Sequence, residues 1–166
     1  MEIEERLFIV KEIAVGKTER ILWMILALGI GTLFSCGKHG PEPIAYGKDS
    51  CTYCRMIVSD RKFGAELVTT KGKILKFDSI ECLAGYVNKT REINGHSLWV
   101  VDYSNLSKFV DATRASYLVS EKIHSPMGLN ISAFEQKDVA NRVVNNYGGR
   151  VVSWNDVLDY VQQKWK

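Results

Sequence analysis

The order strand, strand, helix, strand occurs twice in the sequence pattern, and this repetition constrains the fold more than any other feature. In the first copy, two strand-like runs at 63–70 and 73–77 precede an amphipathic helix that Asp78 or Ser79 can cap. The third strand is predicted at 97–102, after an Asn-Gly turn.

The second copy lies toward the C-terminus and ends in an additional helix. Its predicted elements are strand 115–121, strand 131–134, helix 135–147, strand 150–153 and a helix from Asn155 onward. The pattern predicts an α+β fold made of duplicated ββαβ units. Because a half of about 55 residues is marginal for independent folding, we expect the halves, about 49–105 and 106–166, to pack together.

An uncharged apolar run at 21–34 follows Lys17 and Arg20. It is shorter than the roughly 20 residues of a membrane-spanning helix, and a basic flank before a short apolar core is typical of a secretory signal. The following Leu33-Phe34-Ser35-Cys36 resembles the lipobox of bacterial lipoproteins. We therefore predict a signal peptide at 1–35 and lipidation of Cys36; a short membrane anchor or a buried helix are the alternatives.

Residues 1–16 carry four acidic and two basic side chains, which is unusual for a signal peptide. One hypothesis is a start codon assigned too far upstream, with translation beginning at Val15. The segment 36–48 is rich in Gly and Pro, and is predicted to be a flexible tether between the lipidated Cys36 and the domain at 49–166. The protein would then lie in the cell envelope, facing the periplasm or the outside of the cytoplasmic membrane.

Charge excludes one class of partner. The net charge is only +3, and no run of Lys and Arg is present, so no nucleic-acid partner is expected. The chain also lacks a Ser-His-Asp set, an HExxH motif and a phosphate-binding loop. An enzyme is therefore not predicted.

The residues most able to carry chemistry lie in Cys51-Thr52-Tyr53-Cys54-Arg55-Met56. Two thiols three residues apart can face each other across a turn, and thiolate with thioether is a soft ligand set that selects Cu(I). Zinc does not favour thioether, so Met56 shifts the interpretation from zinc to copper. A structural disulfide, a redox-active Cys51/Cys54 pair and half of a zinc site remain open on these residues alone.

A second cluster, His124-Ser125-Pro126-Met127-Gly128, lies in a predicted loop. Met127 in such a loop suits a second arm of a copper site, and the alternative is a turn whose Met covers the core. His124 and Cys82 are secondary candidates, since Cys82 is predicted to be a buried helical Cys. His96 is expected to be exposed, and His39 lies in the tether.

In their order along the chain, these motifs resemble the NosL family of copper-binding lipoproteins, which are accessory to nitrous oxide reductase. The resemblance covers Cys51 to about Leu158. Besides the lipobox and the CTYCRM segment, it includes Val58-Ser59-Asp60, Phe63-Gly64-Ala65-Glu66, Phe77-Asp78 with Cys82 and Tyr86, Asp111-Ala112, Ser125-Pro126-Met127-Gly128 and Ala133-Phe134. One residue departs from the family pattern: Arg55 occupies a position that is usually Gly.

The resemblance implies a duplicated ββαβ fold and a Cu(I) metallochaperone that delivers copper to nitrous oxide reductase or another cuproenzyme. The family motifs matched by Cys51, Cys54, Met56 and Met127 would carry the metal. Partners would be a copper donor or transporter, a client cuproenzyme and the membrane through the lipid anchor. The alternative function is a thiol-disulfide oxidoreductase, or another redox lipoprotein, that uses Cys51 and Cys54.

Overall fold

A single sheet carries strands from both predicted halves. The computed structural model describes residues 40–91 and 94–166. Its elements are β1 Ala65–Val68, β2 Ile74–Phe77, α1 Ile80–Thr90, β3 Ser97–Asp102, β4 Asn105–Asp111, β5 Ser116–Val119, β6 Ile131–Phe134, α2 Lys137–Tyr147, β7 Arg150–Val152 and α3 Trp154–Lys164. The order ββαβ thus occurs twice, followed by a C-terminal helix, and the predicted α+β fold is confirmed.

The strand order in the sheet is β2-β1-β3-β6-β5-β7, and β4 pairs with β3. Neighbouring strands are antiparallel except β3 and β6, which run parallel and meet where Asp102 lies beside Ala133. This parallel contact joins the strands of the first half to those of the second. Tyr103 N donates to Ala133 O over 2.8 Å and strengthens the same junction.

Strand β4 was not predicted. Its first four residues, from Asn105 to Lys108, are exposed, and Val110 is its one buried residue. A strand with so little buried surface lacks the alternation of polar and apolar residues that reveals a strand in sequence. Its pairing with β3, from Trp99 opposite Asp111 onward, stabilises it instead.

The first and last helices are capped and pack against each other. Ser79 caps α1 by accepting a hydrogen bond from Cys82 N over 3.2 Å, which decides between the two predicted caps. Ser153 and Asp156 form a capping box at the start of α3. Asn88 Nδ2 donates to Leu158 O over 2.9 Å and ties α1 to α3.

The segment before β1 packs across the sheet. Ile44 is buried, and Glu42 N donates to Glu66 Oε2 over 2.9 Å. Part of the segment predicted as a tether therefore contacts the domain. The predicted signal peptide, Cys36 and His39 lie outside the described residues. Within residues 40–91 and 94–166, no helix combines the length and the hydropathy needed to cross a membrane.

Candidate metal centre

The Cys51–Met56 loop is a tight turn held against β2. Cys51 N donates to Met56 O over 2.7 Å, and Arg55 N donates to Cys51 O over 3.0 Å, so the chain closes on itself. Thr52 N donates to Lys76 O over 2.8 Å and fixes the loop to the strand. Cys51 and Cys54 are thereby brought to the same side of the turn.

Arg55 adopts the left-handed backbone conformation, with φ of 69°. This conformation favours glycine, since a Cβ atom crowds the backbone there. The chain thus keeps, at the position where the NosL pattern has Gly, a backbone that a glycine would adopt with less strain. The chain is therefore not extended at Arg55, whereas an extended exit from the turn would place Met56 on the same face as Cys54.

Helix α1 supplies a third thiol. Cys82 lies in its first turn, three residues after the Ser79 cap. The Sγ atoms of Cys51, Cys54 and Cys82 all lie within 4.8 Å of one another. Cys51 and Cys82 are buried, whereas Cys54 is partly exposed, and none of the three forms a disulfide. The cluster therefore has two buried thiols and one that solvent can reach.

The surroundings of Cys51 favour its thiolate. A hydrogen bond from the Cys82 thiol is the largest cause, burial opposes it, and backbone N–H groups of Asp78, Cys54 and Tyr53 contribute further; together they lower the pKa of Cys51 to about 5. Thiolate, rather than thiol, is the metal ligand and the nucleophile. The surroundings thus favour the form of Cys51 that binds a metal ion.

The two other thiols hold their protons more firmly. The hydrogen bond to Cys51, followed by burial, raises the pKa of Cys82 well above its ordinary value. Burial raises the pKa of Cys54, while the N–H of Met56 partly offsets that effect. Binding a metal ion to more than one sulfur would therefore release protons, because each additional ligand has to be deprotonated.

The spacing of the three sulfurs suits one soft ion. Metal–thiolate bonds of about 2.3 Å place two sulfurs about 4.6 Å apart in linear coordination, and three sulfurs about 4.0 Å apart around one ion. The observed separations, at most 4.8 Å, require only small adjustments. Sulfur ligands select Cu(I) or zinc, not magnesium or calcium, and a Met nearby favours copper.

Met56 and Met127 occupy different environments. Met56 is 48% exposed and lies two residues after Cys54. Met127 is half-buried and packs against the main core, which also contains Cys51 and Cys82. The role of either thioether as a metal ligand stays a prediction. Their exposure distinguishes them, since Met56 is open to an incoming molecule and Met127 is partly covered.

The loop around Met127 is tied to α1. The Ser125 hydroxyl donates to Glu81 Oε1, and Glu81 is the chain neighbour of Cys82. Asn130 N donates to Ser125 Oγ over 2.9 Å, which closes the loop from its other end. The second half thus places its Met-containing loop beside the helix turn that holds Cys82. His124 is exposed in this loop.

Cys82 is a buried helical Cys, as predicted, and it lies beside both thiols of the CxxC pair; its rank among the ligands stays a prediction. Its helix cap was visible in the sequence, but the loop contact to β2 that brings Cys51 to the helix start was not. His96 is half-buried rather than exposed, and its Nδ1 accepts a hydrogen bond from Thr70 N over 3.2 Å. That contact gives His96 a structural partner in a turn.

Fold and cluster together define an α+β domain in which three neighbouring cysteines could hold a metal ion. The sequence model of the NosL family matches residues 44–161, which is more than half of the chain. The chain therefore belongs to the NosL family.

Two relatives extend the comparison. The copper-binding lipoprotein NosL of Stutzerimonas stutzeri is 26% identical over 151 residues, which cover 82% of this chain and 78% of that protein. The crystal structure of the copper chaperone NosL from Shewanella denitrificans has a TM-score of 0.62 and 24% identity, and covers 72% of this chain and 96% of that chain. At this identity the second likeness establishes the fold. Both relatives are described by copper and not by a catalysed reaction, in agreement with the prediction that the chain is not an enzyme.

Proposed function

We propose that this protein is a Cu(I) metallochaperone of the cell envelope, which binds Cu(I) and passes it to a cuproenzyme. The observation that carries the proposal is the three-thiol cluster, whose sulfurs lie within 4.8 Å of one another and in which Cys54 is partly exposed. The printed names of the two relatives, a copper-binding lipoprotein and a copper chaperone, support the choice of metal.

Cu(I) would bind two or three soft ligands chosen from Cys51, Cys54, Met56 and Met127, with Cys82 as the adjacent thiol. Exchange would proceed at the exposed side, where Cys54 and Met56 can be replaced one at a time by ligands of a partner. Two or three soft ligands leave such a position open. The transfer involves no net chemistry, and nitrous oxide reductase is the proposed client because of the family resemblance.

Envelope location follows from the proposed lipid on Cys36, and the relative described as a lipoprotein supports it. Two or more acyl chains hold a protein firmly at a membrane, whereas one chain binds only weakly. Anchoring would confine the search for a donor and a client to a surface and raise their effective concentration. Cys36→Ser is expected to move the protein from the membrane fraction to the soluble fraction.

The test is a Cu(I) titration of the fully reduced protein against a competing chelator, under anaerobic conditions. Wild type is expected to bind one Cu(I), and Cys51→Ser or Cys54→Ser to weaken binding at least about 100-fold, since a soft anionic ligand is lost. Met56→Leu should weaken binding about tenfold. Ile57→Leu, at the next and equally exposed position, is the matched control and should leave the affinity unchanged.

A thiol-disulfide oxidoreductase is the second candidate, because the pKa of about 5 for Cys51 also suits attack on a disulfide. The two functions differ in their dependence on thioethers. Met127→Leu should weaken Cu(I) binding and leave the rate of disulfide exchange unchanged. Cu(I) affinity that is unchanged in Met56→Leu and Met127→Leu, together with rapid disulfide exchange, would favour the oxidoreductase.

A further inference from the structure

A groove of about 780 Å³ lies immediately beside the thiol cluster. Its walls come from the Cys51–Met56 loop, the β1–β2 turn, β2 and the second half of α1. We call it the basic groove, after Arg55, Lys73 and Lys89, which line it together with Tyr53 and Tyr86. The lining residues Tyr53 and Arg55 are the two chain neighbours of Cys54, so one end of the groove lies at the loop segment that carries this partly exposed thiol.

The charge of this groove is of one sign. The three cations are exposed, and none of them forms an ion pair with residues 40–91 or 94–166. Among the described residues, no Asp or Glu lines the groove. Cations that are left unpaired around one concave surface attract an anionic partner and accelerate its association.

The groove also has a fixed wall. The Tyr53 ring stacks on Trp165 with centroids 5.6 Å apart and planes 12° apart. Gly85 makes room for this stack, because a Cβ there would lie 2.8 Å from Trp165 and 2.9 Å from Tyr53. Such packing holds the loop, and with it the position of Cys54 relative to the cations of the groove. A bound partner would therefore be aligned with the thiol.

From this placement we propose that the basic groove docks a carboxylate-rich segment of the protein that exchanges copper with this chain. The proposal rests on the proposed function, since it assigns the groove to the partner of the same thiol cluster. Carboxylates of the segment would pair with Lys73, Lys89 and Arg55 and orient it, so that a soft ligand of the segment meets Cys54 and Met56. An acidic protein surface fits better than a lipid surface, because a membrane on this face would cover the exposed thiol.

The test uses the full-length protein in reduced, metal-free form and a fluorescent, glutamate-rich peptide that carries a methionine pair. Fluorescence anisotropy at low ionic strength measures its affinity for wild type, for Lys73→Glu/Lys89→Glu and for a control double variant. The control, Lys122→Glu/Lys137→Glu, makes the same change of net charge at exposed lysines that do not line the groove. A peptide with Gln in place of Glu reports binding that does not depend on carboxylates.

We expect Lys73→Glu/Lys89→Glu to lower the affinity for the glutamate peptide about tenfold or more. The control should lower it less than about twofold, because close charges dominate over distant ones. Added salt should reduce the wild-type affinity toward that of the groove variant. Equal losses in the two double variants, or equal binding of the Gln peptide, would overturn the proposal.

Two further measurements separate the docking surface from the copper site. Cu(I) affinity, measured by chelator competition, should be the same in wild type and Lys73→Glu/Lys89→Glu. The two proposals can therefore fail independently, because peptide binding that depends on Lys73 and Lys89 would support the groove even if the protein bound no copper. Transfer of Cu(I) from loaded protein to the peptide should slow in the groove variant only. Binding to phosphatidylglycerol vesicles that depends on Lys73 and Lys89, without any such dependence for the peptide, would assign the groove to lipid and refute the proposal.

Discussion

Helices α1 and α2 hold the same place in the two ββαβ halves, but α1 buries seven residues and α2 buries only Ala140. The reason is α3, which packs on α1 and encloses it between helix and sheet. Helix α2 lies on one side of the sheet with most of its surface exposed. A repeated order of elements thus gives one interior helix and one surface helix.

The buried polar groups of the two halves differ as well. The first half buries the carboxyl groups of Glu66, Asp78, Glu81 and Asp102. In the second half, the buried polar side chains are the hydroxyls of Ser120, Ser125 and Ser132. Buried ionisable groups cost stability, and their concentration in one region is typical of a functional site. The three neighbouring thiols lie in the first half, and the second half places the loop of Met127 beside the helix turn that holds Cys82.

The largest expected difference between the halves is in core packing. Leu83→Ala in α1 should lower the free energy of unfolding by about 3 kcal/mol, because a fully buried side chain leaves a cavity. Val144→Ala in α2 should lower it by about 1 kcal/mol, since Val144 is only half-buried. Urea denaturation of the two variants measures both values. Equal losses would show that α2 is as firmly packed as α1.

A pH dependence is the next expected effect. Burial is the main cause that raises the pKa of Glu66 to about 7, so the folded state holds this proton more tightly than the unfolded state, in which the pKa is near 4.5. The stability contributed by Glu66 is therefore complete at low pH and is lost as pH rises from about 4.5 to 7. Over this interval the free energy of unfolding of Glu66→Gln should rise relative to that of wild type, by on the order of 2 kcal/mol.

Denaturation at a series of pH values checks the Glu66 prediction. The matched control is Glu121→Gln, an exposed position in the second half, whose stability curve should run parallel to that of wild type. If the curve of Glu66→Gln also ran parallel to that of wild type, the prediction would be wrong, because the folded protein would then compensate the cost of burying the ionised Glu66 carboxylate.

The smallest expected effect concerns the Cys51–Met56 loop of the first half and the loop around Met127 in the second half. The second-half loop has positive φ at Gly128 and Asn130, residue types that tolerate this conformation, whereas the first-half loop has it at Arg55. Arg55→Gly should stabilise the protein by about 0.5 kcal/mol, because relief of strain outweighs the greater freedom of Gly in the unfolded chain. Lys62→Gly, at an exposed residue without positive φ, should destabilise it by a similar amount. Thermal denaturation of Arg55→Gly and Lys62→Gly measures both changes in stability, and a loss of stability in both variants would contradict the prediction.

Much of the fold was predictable because local patterns and caps agree with it. The bounds of β3 and β6 and the Ser79 cap follow from alternation and capping residues. Strand β4 was not predictable, because tertiary pairing rather than burial stabilises it. For the site, the CxxC spacing indicated that Cys51 and Cys54 lie together. The nearness of Cys82 depends on the Thr52–Lys76 contact between distant parts of the chain, which no local pattern encodes.

The stack of Tyr53 on Trp165 has a consequence for the order of events during folding. It joins residues separated by nearly the whole described chain, and contacts of that kind form only after a large loop has closed. The wall beside Cys54 is therefore completed late, when α3 docks on α1. The three thiols are therefore loosely held in a chain that is still folding, and form an oriented cluster only in the finished domain.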